Sequence, residues 1–198
     1  MWIVIEVVSG FQALRQAKEV NIYITERKFS LRSEYDIAAP GCDYYAEKKF
    51  FSFAAKVQLL SEGRQVLGTI RGRFPFGPRY DFEFANGRVY RFWCEGFWKG
   101  VYRCECGEEK YRMYQHKGLN YSIFQDDLQI AAFTKNRVVI GKGNEYAIRL
   151  DEDANSQVVI CMVLAINTSQ GDNDTSVTID FGSIGPEDKA FDTSWNPR

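Results

Sequence analysis

Histidine is almost missing from this chain: His116 is the only one in 198 residues. A histidine-rich metal centre is therefore excluded, and any Ser–His or Cys–His nucleophile has a single candidate base. No Gly-x-Ser-x-Gly elbow occurs, and no loop of Walker spacing. Gly141-Lys142-Gly143 leads into strand-like rather than helix-like sequence. There is no apolar run of the roughly 20 residues that a membrane-spanning helix needs. The N-terminus lacks the marks of a secretory signal: Glu6 interrupts the apolar stretch Trp2 to Val8, and no basic segment precedes it. Cysteine is sparse and odd in number, at five, so a complete set of internal disulfides is excluded. A reduced, cytoplasmic setting is the expectation.

Net charge is also small, at −1, but it is unevenly spread. Residues 43–117 carry fourteen Lys/Arg against nine Asp/Glu, whereas residues 151–198 carry two against nine. A basic body with an acidic tail permits an anionic partner without demanding one. The overall acidity argues against nucleic acid.

What the chain does have is aromatic and apolar bulk, 15% and 45%, enough for a sizeable core. From Val20 to Leu150 apolar and polar residues alternate with period two, as in half-buried strands. Turn signals punctuate this region, among them Glu62-Gly63, Asn86-Gly87, Cys106-Gly107, Lys117-Gly118 and Asp126-Asp127. Asn86-Gly87 predicts a type I′ hairpin turn, in which both central residues need positive φ. A repeat of 22 to 23 residues is visible. In each copy a Phe, a small residue and a Leu or Phe precede a triplet, Tyr35-Asp36-Ile37, Val57-Gln58-Leu59 or Tyr80-Asp81-Phe82. That period suits a two-stranded unit stacking on its neighbours.

The stretch Val158 to Ile166 is apolar on every side. It reads as a buried helix or a buried strand, and local pattern does not separate the two. If it is a helix, near 154–168, Asp153 can cap it and Gly171 can stop it. Residues 1–19 read as an N-terminal extension, and residues 171–198 as an acidic C-terminal extension that frays after Gly185. A sheet of this many strands escapes its edge problem by closing into a barrel, and an apolar helix is a suitable filling.

The pattern Tyr23-Ile24-Thr25-Glu26…Phe29-Ser30-Leu31, then Tyr44-Tyr45-Ala46-Glu47-Lys48-Lys49-Phe50-Phe51-Ser52, then Gly68-Thr69-Ile70…Phe74 resembles the LURP-one-related proteins of the tubby C-terminal-like superfamily, which has the phospholipid scramblases as relatives. The likeness covers residues 20–170 and rests on diffuse aromatic spacing. It implies a closed antiparallel barrel of about twelve strands around one central hydrophobic helix, which favours the helical reading of 158–166. It also implies functions of the phosphoinositide-regulated or lipid-scrambling kind. No head-group residue carries over, because no binding motif matches position by position.

Cys94, Cys104, Cys106 and His116 have zinc-ligand identities, but a hairpin turning at Gly107-Glu108-Glu109 sets Cys106 opposite Lys110 and Cys104 opposite Arg112, and leaves His116 apart. His116 then reads as a surface or rim residue. Asp151-Glu152-Asp153-Ala154-Asn155 begins like a calcium loop but lacks the glycine and the final glutamate. Asp126-Asp127 reads as a solvated turn. No cofactor, metal or catalytic set is expected. The remaining option is a basic and aromatic surface of Arg71, Arg73, Arg79, Arg91, Trp98, Lys99 and Arg103, with Phe97-Trp98 near a hairpin tip. The same alternation arises in any strand with aromatics packed inward and arginines facing water. The expectation is a non-enzymatic binding module for anionic lipid head groups at a membrane surface, or alternatively a protein-interaction domain.

Overall fold

The computed structural model describes residues 22–29, 32–49, 56–73, 79–96, 100–136, 143–169 and 189–198. The N-terminal extension, Phe97, Trp98, Lys99, Gly171 and, in the repeat, Ser30-Leu31, Phe51-Ser52-Phe53 and Phe74-Pro75-Phe76 lie outside the described residues.

Period-two alternation produces strands wherever it runs between turns. The strands are β1 (Ile22–Phe29), β2 (Arg32–Ala39), β3 (Cys42–Lys49), β4 (Lys56–Ser61), β5 (Val66–Gly72), β6 (Arg79–Phe84), β7 (Val89–Gly96), β8 (Val101–Cys106), β9 (Glu109–His116), β10 (Asn120–Gln125), β11 (Leu128–Asn136) and β12 (Glu145–Leu150). Each pairs antiparallel with the next, and β1 pairs with β12 through Ile22↔Ile148 and Ile24↔Tyr146, so the sheet closes into a twelve-stranded barrel. The repeat is a hairpin repeat: its three triplets fall on β2, β4 and β6, each pointing in, out, in.

Inward positions are mostly apolar, and the outward ones carry most of the charged residues. That is the reverse of a transmembrane barrel, whose lipid face is apolar. No helix among the described residues is long and apolar enough to cross a membrane.

The run 158–166 is helical. Helix α1 (Ser156–Ser169) lies inside the barrel, and Val158 to Ile166 are all buried to 1% exposure or less. An α-helix satisfies its own backbone, so it can be sheathed in side chains where an unpaired strand could not. Each of its larger side chains contributes about 1.5–3 kcal/mol by leaving water. The inner wall meets it with aromatics, such as the stack of Phe82, Phe92 and Tyr102 on β6, β7 and β8, with centroids 5.5 and 5.7 Å apart. The helix enters at the end of the barrel where β12 finishes (the near end) and its C-terminus lies at the opposite, far end.

Three local expectations change. Asn155, not Asp153, caps α1: the Val158 N–H donates to Asn155 Oδ1 at 3.3 Å, while Asp153 is exposed. At Asn86-Gly87 only Gly87 has positive φ, and the Gly87 N–H donates to the Phe84 carbonyl, so the hairpin uses a longer loop with one left-handed residue. Positive φ at two successive central residues occurs instead at Asp126 and Asp127, which join β10 to β11. The β8–β9 hairpin turns on Gly107 and Glu108 alone, so the register moves by one: Cys106 faces Glu109 and Cys104 faces Tyr111.

Candidate functional site

The outer wall of β5–β8 gathers the basic residues expected there. Alternation turns Arg71, Arg79, Arg91 and Arg103 outward, and Arg73 follows directly after β5. The ladders put Arg71 opposite Asp81, Asp81 opposite Arg91, Arg91 opposite Glu105, and Trp93 between Arg79 and Arg103. Trp98 and Lys99 lie outside the described residues.

These cations are not equivalent. Arg71 Nε donates to Glu83 at 2.7 Å, and Arg73 is clasped by Asp81. Arg103 grips Glu95 with two hydrogen bonds of 2.7 and 2.6 Å, and its guanidinium is held more firmly charged by that carboxylate. Arg79 and Arg91 have no ion-pair partner among the described residues, and neither do Lys110 and Arg112 on the adjoining β9. Arg112 stands directly opposite Arg103, a like-charged pairing that costs stability unless an anion is near. Beside it a surface cleft of about 160 Å³ is lined by Arg103, Glu105, Lys110, Arg112, Phe124, Asp126 and Asp127. The outer wall of β5–β9 thus holds Arg71, Arg73, Arg79, Arg91, Arg103, Lys110 and Arg112 against Asp81, Glu83, Glu95 and Glu105. The described surface of β1–β3 and β12 lacks that excess, with Glu34, Asp36, Asp43, Glu47 and Glu145 against Arg27, Lys28, Arg32 and Arg149.

A second constellation is buried and escaped the sequence reading. At the far end the inner wall turns polar, with Glu26, Lys48 and Lys135 all buried. Glu26 accepts from the Tyr35 hydroxyl at 3.2 Å and from the Asn144 backbone and side-chain N–H groups at 3.1 and 3.0 Å. Asn167, near the end of α1, accepts from the Tyr146 hydroxyl at 2.7 Å and from Asn144 at 2.8 Å, and donates to Tyr35 at 3.0 Å. Burial, and then the nearby Tyr35 and Glu26, push the Tyr146 phenol well above its usual range, so it stays a neutral donor. The network ties the helix end to β1, β2 and β12. Gly143 packs so close that an added Cβ would lie 2.5 Å from the Glu26 carbonyl oxygen. The sequence signal was Glu26 itself, a carboxylate at an inward position two residues after Ile24.

A third feature corrects the frayed tail. Residues 189–198 lie against the barrel. Lys189 Nζ sits 3.5 Å from the Phe124 ring centroid, the Phe191 ring is 5.0 Å from His116, and Trp195 is 5.7 Å from the Arg149 guanidinium. The Arg198 backbone N–H and Nη2 donate to Asp151 at 2.8 and 2.9 Å. His116 is therefore not a rim residue; it is 1% exposed and within 2.7 Å of the Ser122 hydroxyl. Its ring is on the outward side of β9, whereas Cys104 and Cys106 face inward, so the four zinc-type residues do not converge. Burial raises the thiol pKa of both Cys104 and Cys161, which keeps them protonated and poorly nucleophilic.

Comparison of the chain with protein-family models, with curated proteins and with solved structures found no match.

Proposed function

We propose that the protein is a non-enzymatic binding module whose outer wall over β6–β9 receives anionic lipid head groups. The carrying observation is that Arg79, Arg91, Lys110 and Arg112 share one wall and lack carboxylate partners among the described residues, while Arg71, Arg73 and Arg103 nearby are neutralised. Unpaired exposed cations gathered on one side of the barrel favour approach to a negative membrane in a fixed orientation. Each contributes about 1 kcal/mol near an anionic leaflet, and the effect fades within a Debye length. The barrel around a hydrophobic helix has the architecture implied by the likeness to tubby C-terminal-like proteins, and that supports the reading. A protein partner is the second reading, favoured by the segment 189–198 held on another part of the barrel wall.

Flotation with neutral, phosphatidylserine and phosphoinositide vesicles, at low and high salt, tests the lipid reading. The expected result is flotation with anionic vesicles alone, weakening with salt. The double substitution Arg91→Ala with Arg112→Ala should cost roughly ten-fold or more in affinity, since two such cations are removed. Arg71→Ala, which removes a cation already paired to Glu83, should change little. Absence of flotation with every vesicle, or equal losses from all three substitutions, would rule out this site.

A further inference from the structure

Outward positions of a barrel are normally wet, yet Ser122, His116 and Ala132, all outward on β9–β11, are 1 to 2% exposed. The segment 189–198 passes over this wall and engages it at four places of different chemistry. A lysine lies on the Phe124 and Tyr114 rings at 3.5 and 6.0 Å, Phe191 on His116, Trp195 on Arg149, and Arg198 on the carboxylate of Asp151. The last is the most demanding. Asp151 is 1% exposed, and Arg198 supplies the partner without which that carboxylate would be buried alone. Among the described residues, one backbone hydrogen bond joins segment and barrel, from the Glu152 N–H to the Arg198 oxygen at 3.1 Å. Elsewhere the hold is by side chains rather than by a strand ladder. Segments held in this way open at lower free energy than the strands beneath them.

We infer that the outer wall of β9–β12 is a peptide-docking groove, and that residues 189–198 are its resident occupant. The groove fits an extended peptide carrying a lysine, an aromatic residue two positions later, a tryptophan four beyond that and an arginine three further on. The resident segment is covalently tethered, so its effective concentration is high, and an outside peptide enters only when the resident grip loosens. The groove borders the basic wall along β9 and at Phe124, and its occupant is cationic at both ends, opposite in charge to a lipid phosphate.

The test uses the full chain and a fluorescent synthetic peptide of residues 189–198. Fluorescence anisotropy should show binding to a variant with Phe191→Ala and Arg198→Ala at least ten-fold tighter than to the unmodified protein. Adding Asp151→Asn, which keeps the shape and removes the charge, should abolish that gain. Equal binding by the unmodified and loosened proteins, or binding indifferent to Asp151→Asn, overturns the inference. A second measurement needs no variant. Hydrogen exchange of the unmodified chain in excess unlabelled peptide should accelerate within 189–198 and leave β9–β12 protected. No acceleration at millimolar peptide overturns it as well.

Discussion

Asn167 follows nine consecutive apolar helix residues and is buried with three hydrogen-bond partners, Tyr146, Asn144 and Tyr35. Removing it strands the buried Tyr146 hydroxyl and takes an acceptor from the half-buried Asn144 amide. Each orphaned group costs about 1–3 kcal/mol. Asn167→Ala should therefore destabilise the protein by about 2–4 kcal/mol in urea titration. Thr168→Ala, which deletes a hydroxyl bonded to a carbonyl of its own helix, should cost well under half as much. Comparable losses would mean that the network does not anchor the helix. Glu26 was visible as a charge on an inward position, but its partners come from residues 35 and 144, and only the folded chain brings them together. At the same scale, each predicted arginine was legible as an outward residue. Whether it was free was not: Arg71 meets Glu83 twelve positions away, whereas Arg91 lies opposite Asp81 and Glu105 without bonding either.

The helix is the element on which the barrel closes. The burial of its middle was legible in Val158 to Ile166, since an apolar run of that length with no polar face has to be enclosed. Its start was not, because Asp153 and Asn155 are both good capping residues and the choice depends on which one the chain enters through. Two substitutions separate them. Asn155→Ala should lower stability by about 1 kcal/mol, read by thermal or urea unfolding. Asp153→Ala, at an exposed position without a capping bond, should stay within about 0.5 kcal/mol of the unmodified protein. The reverse order would return the cap to Asp153. Strands were predicted well where turns were short and chemically marked: Val101–Cys106 ends at the Cys106-Gly107 signal and Asn120–Gln125 at Asp126-Asp127. Register was predicted less well, because one residue more or less in a turn shifts every partner, as Gly107-Glu108 did.

At the scale of the whole molecule, the barrel is lined by phenols. Tyr80 is 7% exposed, and burial pushes its phenol from 10.0 up to about 12. Burial likewise raises Tyr102, Tyr90 and Tyr111, with Glu109 adding to the rise at Tyr90 and Tyr111. A phenol whose folded pKa exceeds its unfolded value favours the fold while it is protonated. That contribution is complete below pH 10 and is lost as pH rises through the folded value. For Tyr80 alone a shift of about two units corresponds to about 3 kcal/mol. Stability measured by urea titration should thus be level up to about pH 9 and fall steeply between pH 10 and 12, with tyrosinate absorbance rising together with unfolding. Tyr80→Phe should soften the fall. A flat stability through pH 12, or tyrosinate formation well before unfolding, would contradict the buried wall.

By itself the sequence determined that the described segments between Val20 and Leu150 form strands with one apolar face and that 158–166 are enclosed. Both are matters of hydrophobic period and bulk, which act locally and tolerate error in register. Tertiary structure decided the rest. It joined β1 to β12, chose which arginines meet carboxylates, assembled Glu26, Tyr35, Asn144, Tyr146 and Asn167, and laid residues 189–198 on His116 and Asp151. Each of these depends on where two distant strands or segments fall relative to one another. That placement is set by turn lengths, by bulges such as the one between Cys94 and Gly96, and by the circumference of the closed barrel, none of which a single stretch of chain encodes.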